Sequence, residues 1–293
     1  MIHFSPDQIA AELRSFTDKL AQGAKTLGEL GEIETGVSPR DPVYQEDKLT
    51  LYRYQPRVAE LHPVPLLIVY ALVNRPYMMD LQEDRSLIRG LLDAGIDVYL
   101  IDWGYPDADD RHLNLADYVH RYLGHCVDVL REQRRLAAIN LLGVCQGGAL
   151  SLCFTALYPE KIRNLVTMVT PVDFHTPDNL LTHLIRHVDI DLLVDSLGNL
   201  PGQMLNFAFV SLSPFRLAGQ KYVDVVDILD DAQALKNFLR MEKWIFDSPD
   251  QAGEAFRQFA KDFFQQNKLV KNEVIIGGCR VDLQKITMPV LNV

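Results

Sequence analysis

Short runs of consecutive apolar residues exchange along the chain with stretches whose apolar positions recur every three or four residues. Residues 48–54 alternate apolar and polar, as a half-buried strand does, while residues 65–70 (PLLIVY) form a continuous apolar run of the kind buried on both faces of a sheet. Residues 80–94 then read as a helix closed by Gly95, 97–102 as a strand, and 114–134 as a helix. Residues 137–144 follow as a strand, 147–157 as a helix and 163–170 as a strand. This β-α-β-α order predicts an α/β fold, a mainly parallel sheet flanked by helices on both faces. Ahead of it, Ser5, Pro6 and Gln8 have the form of a helix start, and a helix to about Thr26 is expected within an N-terminal helical segment spanning residues 1–47.

After Pro171 the rhythm breaks, and the next buried-strand signal is at residues 289–293. An insertion accounts for this. Residues 174–286 are expected to form a largely helical cap on a core made of residues 48–173 and 287–293, with amphipathic helices over 231–246 and 248–266. Phe207, Phe209, Phe215, Tyr222 and Trp244 give this segment more aromatic content than a polar loop needs. No internal repeat or low-complexity tract interrupts the chain.

With 48% hydrophobic and 23% charged residues, the chain can bury a large core, which sets it apart from disordered sequences. A formal charge of -10 and a pI near 5.2 exclude a protein that wraps nucleic acid, whose binding rests on basic contacts to phosphate. The longest nearly uncharged apolar stretch, residues 63–73, is about half of the roughly 20 residues a membrane span requires, and no charged-then-apolar leader opens the chain. A soluble cytoplasmic protein is expected. Cys126, Cys145, Cys153 and Cys279 show no paired C-x-x-C spacing and no histidines at metal-ligand intervals, so neither a disulfide framework nor a metal site is expected.

Chemistry concentrates at Gly143-Val144-Cys145-Gln146-Gly147-Gly148, a nucleophile flanked by small residues where a buried strand meets a helix. Such a turn is tight, and larger side chains at the glycines would collide with the neighbouring strand or helix. Cys145 is therefore the candidate nucleophile, with the helix N-terminus favouring its thiolate and the Gln146 backbone N–H as an oxyanion donor. An activated thiol of this kind would react with alkylating agents faster than a free thiol. The second donor in this architecture comes from the loop after an earlier strand, which here spans residues 71–76, and Val73 N–H is the candidate. Arg75 in the same loop is available to phosphate groups or serves as an ordinary surface charge. An inert core cysteine needs no such glycine frame, and Cys126, Cys153 and Cys279 lack one.

Residues 67–78 (LIVYALVNRPYM), 98–106 (VYLIDWGYP), 164–174 (NLVTMVTPVDF) and 244–253 (WIFDSPDQAG) resemble the catalytic subunits of class III polyhydroxyalkanoate synthases, members of the α/β-hydrolase superfamily. The likeness runs essentially end to end. It implies polymerisation of (R)-3-hydroxyacyl-coenzyme A, chiefly the 3-hydroxybutyryl thioester, through an acyl group on Cys145, with release of coenzyme A. It implies no permanently bound cofactor, a homodimer, a second non-catalytic subunit, and a cytoplasmic location at the surface of polyester granules. The resemblance also implies an aspartate and a histidine beyond residue 293, and on this reading the chain is a C-terminally truncated fragment and inactive alone. Asp173 and His175 are the internal residues that could substitute, and His183 and His187 share a helical i, i+4 spacing. Two other readings stand beside this one: a cysteine-dependent hydrolase of dienelactone hydrolase type, which lacks such a cap, and a non-catalytic subunit that dimerises or binds granules.

Overall fold

The computed structural model of the chain describes residues 33–213, 220, 224–229 and 231–293. The helix expected over residues 5–26 lies outside them, as do Phe215 and Tyr222. Eleven strands are present among the described residues: β1 (Arg40–Glu46), β2 (Leu49–Tyr54), β3 (Leu66–Val69), β4 (Asp80–Gln82), β5 (Arg85–Ser86), β6 (Val98–Asp102), β7 (Ile139–Val144), β8 (Ile162–Met168), β9 (Ile275–Ile276), β10 (Cys279–Arg280) and β11 (Val290–Asn292).

Seven of these form one sheet in the order β1-β2-β6-β3-β7-β8-β11. The pairs β6–β3, β3–β7, β7–β8 and β8–β11 are parallel, and β1 and β2 add an antiparallel edge. The fully apolar runs lie at the centre of this sheet, as burial on both faces requires. Side chains alternate across β3, so Leu67 and Val69 join the cluster under the helices Gly124–Arg134 and Gln146–Leu157, while Leu66 and Ile68 join Ile88 and Leu92 of the helix Leu87–Asp93 on the opposite face. Each such fully buried aliphatic side chain contributes about 1.5–3 kcal/mol.

Two expected elements differ. Arg40–Glu46 is a strand paired with β2, so the core begins at Arg40 and not at residue 48. Residues 80–94 are not one helix: β4 and β5 form a small hairpin, and the helix starts only at Leu87. The cause is Asp80, whose buried carboxylate accepts from Ser38 N (2.7 Å), Ser38 Oγ (2.9 Å) and Ser86 Oγ (2.5 Å). Ser86 in turn caps the helix by accepting from Arg89 N. A helix through residue 80 would break this set and leave a carboxylate buried without partners.

β11 lies beside β8 in parallel register, Val290 opposite Leu165, so everything between them leaves and re-enters the sheet at neighbouring strands. This segment carries the helices Leu180–Ile185, Ile190–Leu197, Gly202–Ser211, Ala232–Phe246 and Gly253–Phe259. The last begins later than expected, because the chain before it is extended and Gln251 forms a two-way backbone bridge with Leu200. Its final part is not a separate layer. Phe259, Phe263, Leu269, Val274, Ile276 and Val281 belong to the main core cluster, so a cap boundary at residue 286 reaches too far.

Candidate active site

β7 ends at Val144 and the next helix begins at Gln146, so Cys145 alone makes the turn at the carboxyl edge of the parallel sheet. Its backbone sits at φ 54°, ψ -124°, a region that side-chain-bearing residues adopt only where the surroundings impose it. Here they do. The Cys145 N–H donates to Met168 O of β8 (2.9 Å), and its carbonyl accepts from Gly148 N (2.9 Å). The glycine frame is equally tight: a Cβ on Gly143 would stand 2.5 Å from Gly148 Cα, one on Gly147 2.2 Å from Val69 O, and one on Gly148 1.8 Å from Thr170 Oγ1.

Cys145 opens into a cavity of about 370 Å³ that Val73, Gln146 and Gln251 also line. Apart from Asn179 the remaining described walls are apolar, among them Phe174, Ile185, Leu193, Met204, Phe209 and Phe259. Among the described residues, the lining includes no Asp, Glu, His or Lys side chain.

These walls change the expected state of the thiol. Burial pushes the Cys145 thiol above its ordinary range, and the hydrogen bond from the Gln146 amide, which pulls the other way, does not cancel it. The helix N-terminus therefore does not by itself produce a thiolate. At pH 7 a raised pKa means a smaller thiolate fraction, so alkylation of Cys145 by iodoacetamide should be slower than that of a free thiol and should climb as pH passes the usual thiol range of about 8.5. Peptide mass spectrometry should find the exposed Cys279 modified first. Faster labelling at Cys145 at pH 7 would show that desolvation is overcome.

Of the two expected oxyanion donors, Gln146 directly follows Cys145 in the chain and Val73 lines the same cavity. Gln146 contributes its amide from the first turn of the helix, and its side-chain Oε1 accepts from Leu72 N (3.0 Å). Val73 follows in the same loop, lines the cavity, and donates its N–H to no acceptor among the described residues.

Other sequence candidates fall elsewhere. Arg75 is engaged internally, with Nη2 2.7 Å from Asp102 Oδ2, Nη1 3.0 Å from Gly104 O, and its guanidinium 4.2 Å over the Tyr105 ring. It is therefore a half-buried ion-pair partner and not a free phosphate contact. His175 places Nε2 2.9 Å from Phe264 O and is absent from the cavity lining. Asp173 accepts from His175 N and Asn267 Nδ2, which hold its carboxyl below the ordinary range. The helix carrying His183 ends at Ile185, so His187 does not share its face.

Residues 64–293 match the family described as alpha/beta hydrolase fold, and residues 8–91 match the family described as Poly-beta-hydroxybutyrate polymerase (PhaC) N-terminus. The chain is 62% identical to a poly(3-hydroxyalkanoate) polymerase subunit PhaC of Allochromatium vinosum, with 100% of this chain and 83% of that protein covered. Relatives of the same name in Thiocystis violacea (58% identical, 100% and 82% covered) and Synechocystis (57% identical, 96% and 76% covered) are nearly as similar. The chain belongs to the poly(3-hydroxyalkanoate) polymerase family. It is thus an acyltransferase of polyester synthesis built on the α/β-hydrolase fold.

In this polymerase, sequence reasoning missed the residues that fasten the inserted segment to the loop bearing Val73. Trp244 Nε1 donates to Arg75 O (2.9 Å), and Asp247 accepts from Tyr77 Oη (3.1 Å) and Tyr105 Oη (2.7 Å). Gln251 Nε2 donates to Leu72 O (3.0 Å). All of them lie in the strings that carry the family resemblance, so the signal was present, but their partners lie 142 to 179 positions away along the chain. Among the described residues, no helix is long and apolar enough to cross a membrane.

Proposed function

We propose that the chain extends a polyester from (R)-3-hydroxyacyl-coenzyme A, chiefly the 3-hydroxybutyryl thioester, by carrying the acyl group on Cys145. The observation that carries this reading is a strained cysteine turn opening into a closely walled apolar cavity. In the first step the Cys145 sulfur attacks the thioester carbonyl, and the negative charge gathers on the carbonyl oxygen near the Gln146 and Val73 amides. The carbon–sulfur bond to coenzyme A then breaks, and the thiol proton passes to the departing sulfur. One thioester replaces another, so little free energy is lost and the acyl group remains activated.

The hydroxyl of a second acyl unit can then attack the acyl-cysteine: the ester bond forms, the carbon–sulfur bond to Cys145 breaks, and the hydroxyl proton passes to the Cys145 sulfur. Water competes for the same carbonyl. The Phe, Leu, Ile and Met side chains that line the cavity with Cys145 disfavour it. The reading includes a homodimer, a second non-catalytic subunit and a cytoplasmic polyester granule as partners. Leu180, Leu184, Leu192 and Phe207 support an apolar contact surface, since each is exposed on the inserted helices.

Incubation with (R)-3-hydroxybutyryl-coenzyme A tests the reading. In an active form of the protein, free coenzyme A should appear and the peptide containing Cys145 should carry a hydroxybutyryl group. Coenzyme A release without that adduct would overturn the reading.

A further inference from the structure

We infer that Gln251 is a positioning residue for the oxyanion hole, acting on the Val73 amide through the Leu72 carbonyl. This rests on the proposed acylation of Cys145. The Leu72 carbonyl and the Val73 N–H belong to one planar trans peptide group, in which they point in opposite directions. Whatever fixes the carbonyl therefore fixes the amide.

Gln251 fixes it. Its Nε2 lies 3.0 Å from Leu72 O, while on the other side Leu72 N donates to Gln146 Oε1 at 3.0 Å. Leu72 is thus held between two glutamine side chains, one beside the nucleophile and one from the inserted segment. The Gln251 side chain is itself constrained: the residue is 5% exposed, Nε2 also donates to Pro249 O (3.1 Å), and the backbone exchanges hydrogen bonds with Leu200 in both directions (2.9 and 3.0 Å). Gln251, Gln146, Val73 and Cys145 line the same cavity. A buried amide donor at this point has no need to touch the acyl group, because the peptide it holds does so.

The arrangement also links the oxyanion hole to the inserted segment. Trp244 and Asp247 fasten the following residues of the same loop, at the Arg75 carbonyl and the Tyr77 hydroxyl. Displacement of the strand-like stretch around Gln251 would release the Leu72 carbonyl first.

Two reactions of Cys145 separate this role from general support of the fold. Acylation by 3-hydroxybutyryl-coenzyme A passes through an oxyanion, whereas alkylation by iodoacetamide displaces iodide at a saturated carbon and does not. In the full chain, Gln251→Met keeps the side-chain length and removes the donor. Acylation should fall by about 10- to 100-fold, a loss below or at the lower end of that for deleting a donor outright, while alkylation stays within about twofold. Equal losses in both reactions would make Gln251 a structural residue, and no loss in either would remove its role. If the parent chain alkylates but does not acylate, acylation does not report on Gln251 and the clamp is judged by hydrogen exchange. The Leu72 amide should then exchange faster in Gln251→Met than in the parent, and an unchanged rate would overturn the inference.

Discussion

In a form of the protein that releases coenzyme A from (R)-3-hydroxybutyryl-coenzyme A, replacing Cys145 with alanine is expected to lower that release by about 10,000-fold or more, the usual cost of losing a nucleophile. Cavity and fold should persist, because the turn is held by backbone hydrogen bonds to Met168 and Gly148 and not by the sulfur. Cys145→Ser should be close to alanine in rate. A hydroxyl is far less acidic than a thiol, and a cavity that already disfavours the Cys145 thiolate disfavours an alkoxide more strongly. Circular dichroism of both variants should match the parent, so the loss can be assigned to chemistry. A Cys145→Ala chain that keeps more than a tenth of the parent rate would place the acyl group on another residue.

The nucleophile turn was legible in the sequence because its demands are local. A strand, one strained residue and a helix in direct succession leave no room for side chains at Gly143, Gly147 and Gly148, and six consecutive residues state this. The central strands were legible for a similar reason, since burial on both faces removes alternation. The hairpin of β4 and β5 was not. The apolar period of residues 87–93 runs backward through Leu81 and Met79, and the residue that stops the helix does so through Ser38, 42 positions away. Long-range contacts likewise decide the chemistry of the site. The first-turn position of Gln146 predicts a stabilised thiolate, but Leu193, Met204 and Phe209 from the inserted helices help to bury the sulfur, and desolvation then outweighs one amide. Gln251 reads in sequence as nothing more than a polar residue before a helix, because the acceptor of its side-chain amide, the Leu72 carbonyl, lies 179 positions earlier.

Gly147→Ala should be strongly destabilising. The added Cβ would lie 2.2 Å from Val69 O and 2.6 Å from Tyr70 O, both backbone atoms, so no rotamer change relieves the contact. Val69 belongs to β3, where it pairs with Ile101 on one side and Gly143 on the other. The Tyr70 carbonyl accepts the Trp103 indole N–H at 3.0 Å. Relief therefore requires moving the central strand or tilting the helix Gln146–Leu157 away from it. Overpacking of this kind costs about 3 kcal/mol or more, which corresponds to a fall in melting temperature of roughly 6–12 °C. Gly148→Ala meets the Thr170 side chain, including its backbone-fixed Cβ at 2.7 Å, so no rotamer relieves it and this change should also be destabilising. Gly90, inside the helix Leu87–Asp93 with nothing within 4 Å, is the control: Gly90→Ala should be neutral or stabilising by about 0.5–1 kcal/mol. The Gly147 change should also reach the chemistry. Residues 71–73 continue directly from Tyr70, so a displaced β3 carries the Val73 amide with it, and the variant that remains folded should lose acyl transfer as well as stability. Differential scanning calorimetry and coenzyme A release on the same samples check both halves, and a Gly147→Ala chain that melts and reacts like the parent would mean that the strand and helix approach less closely than 2.2 Å implies.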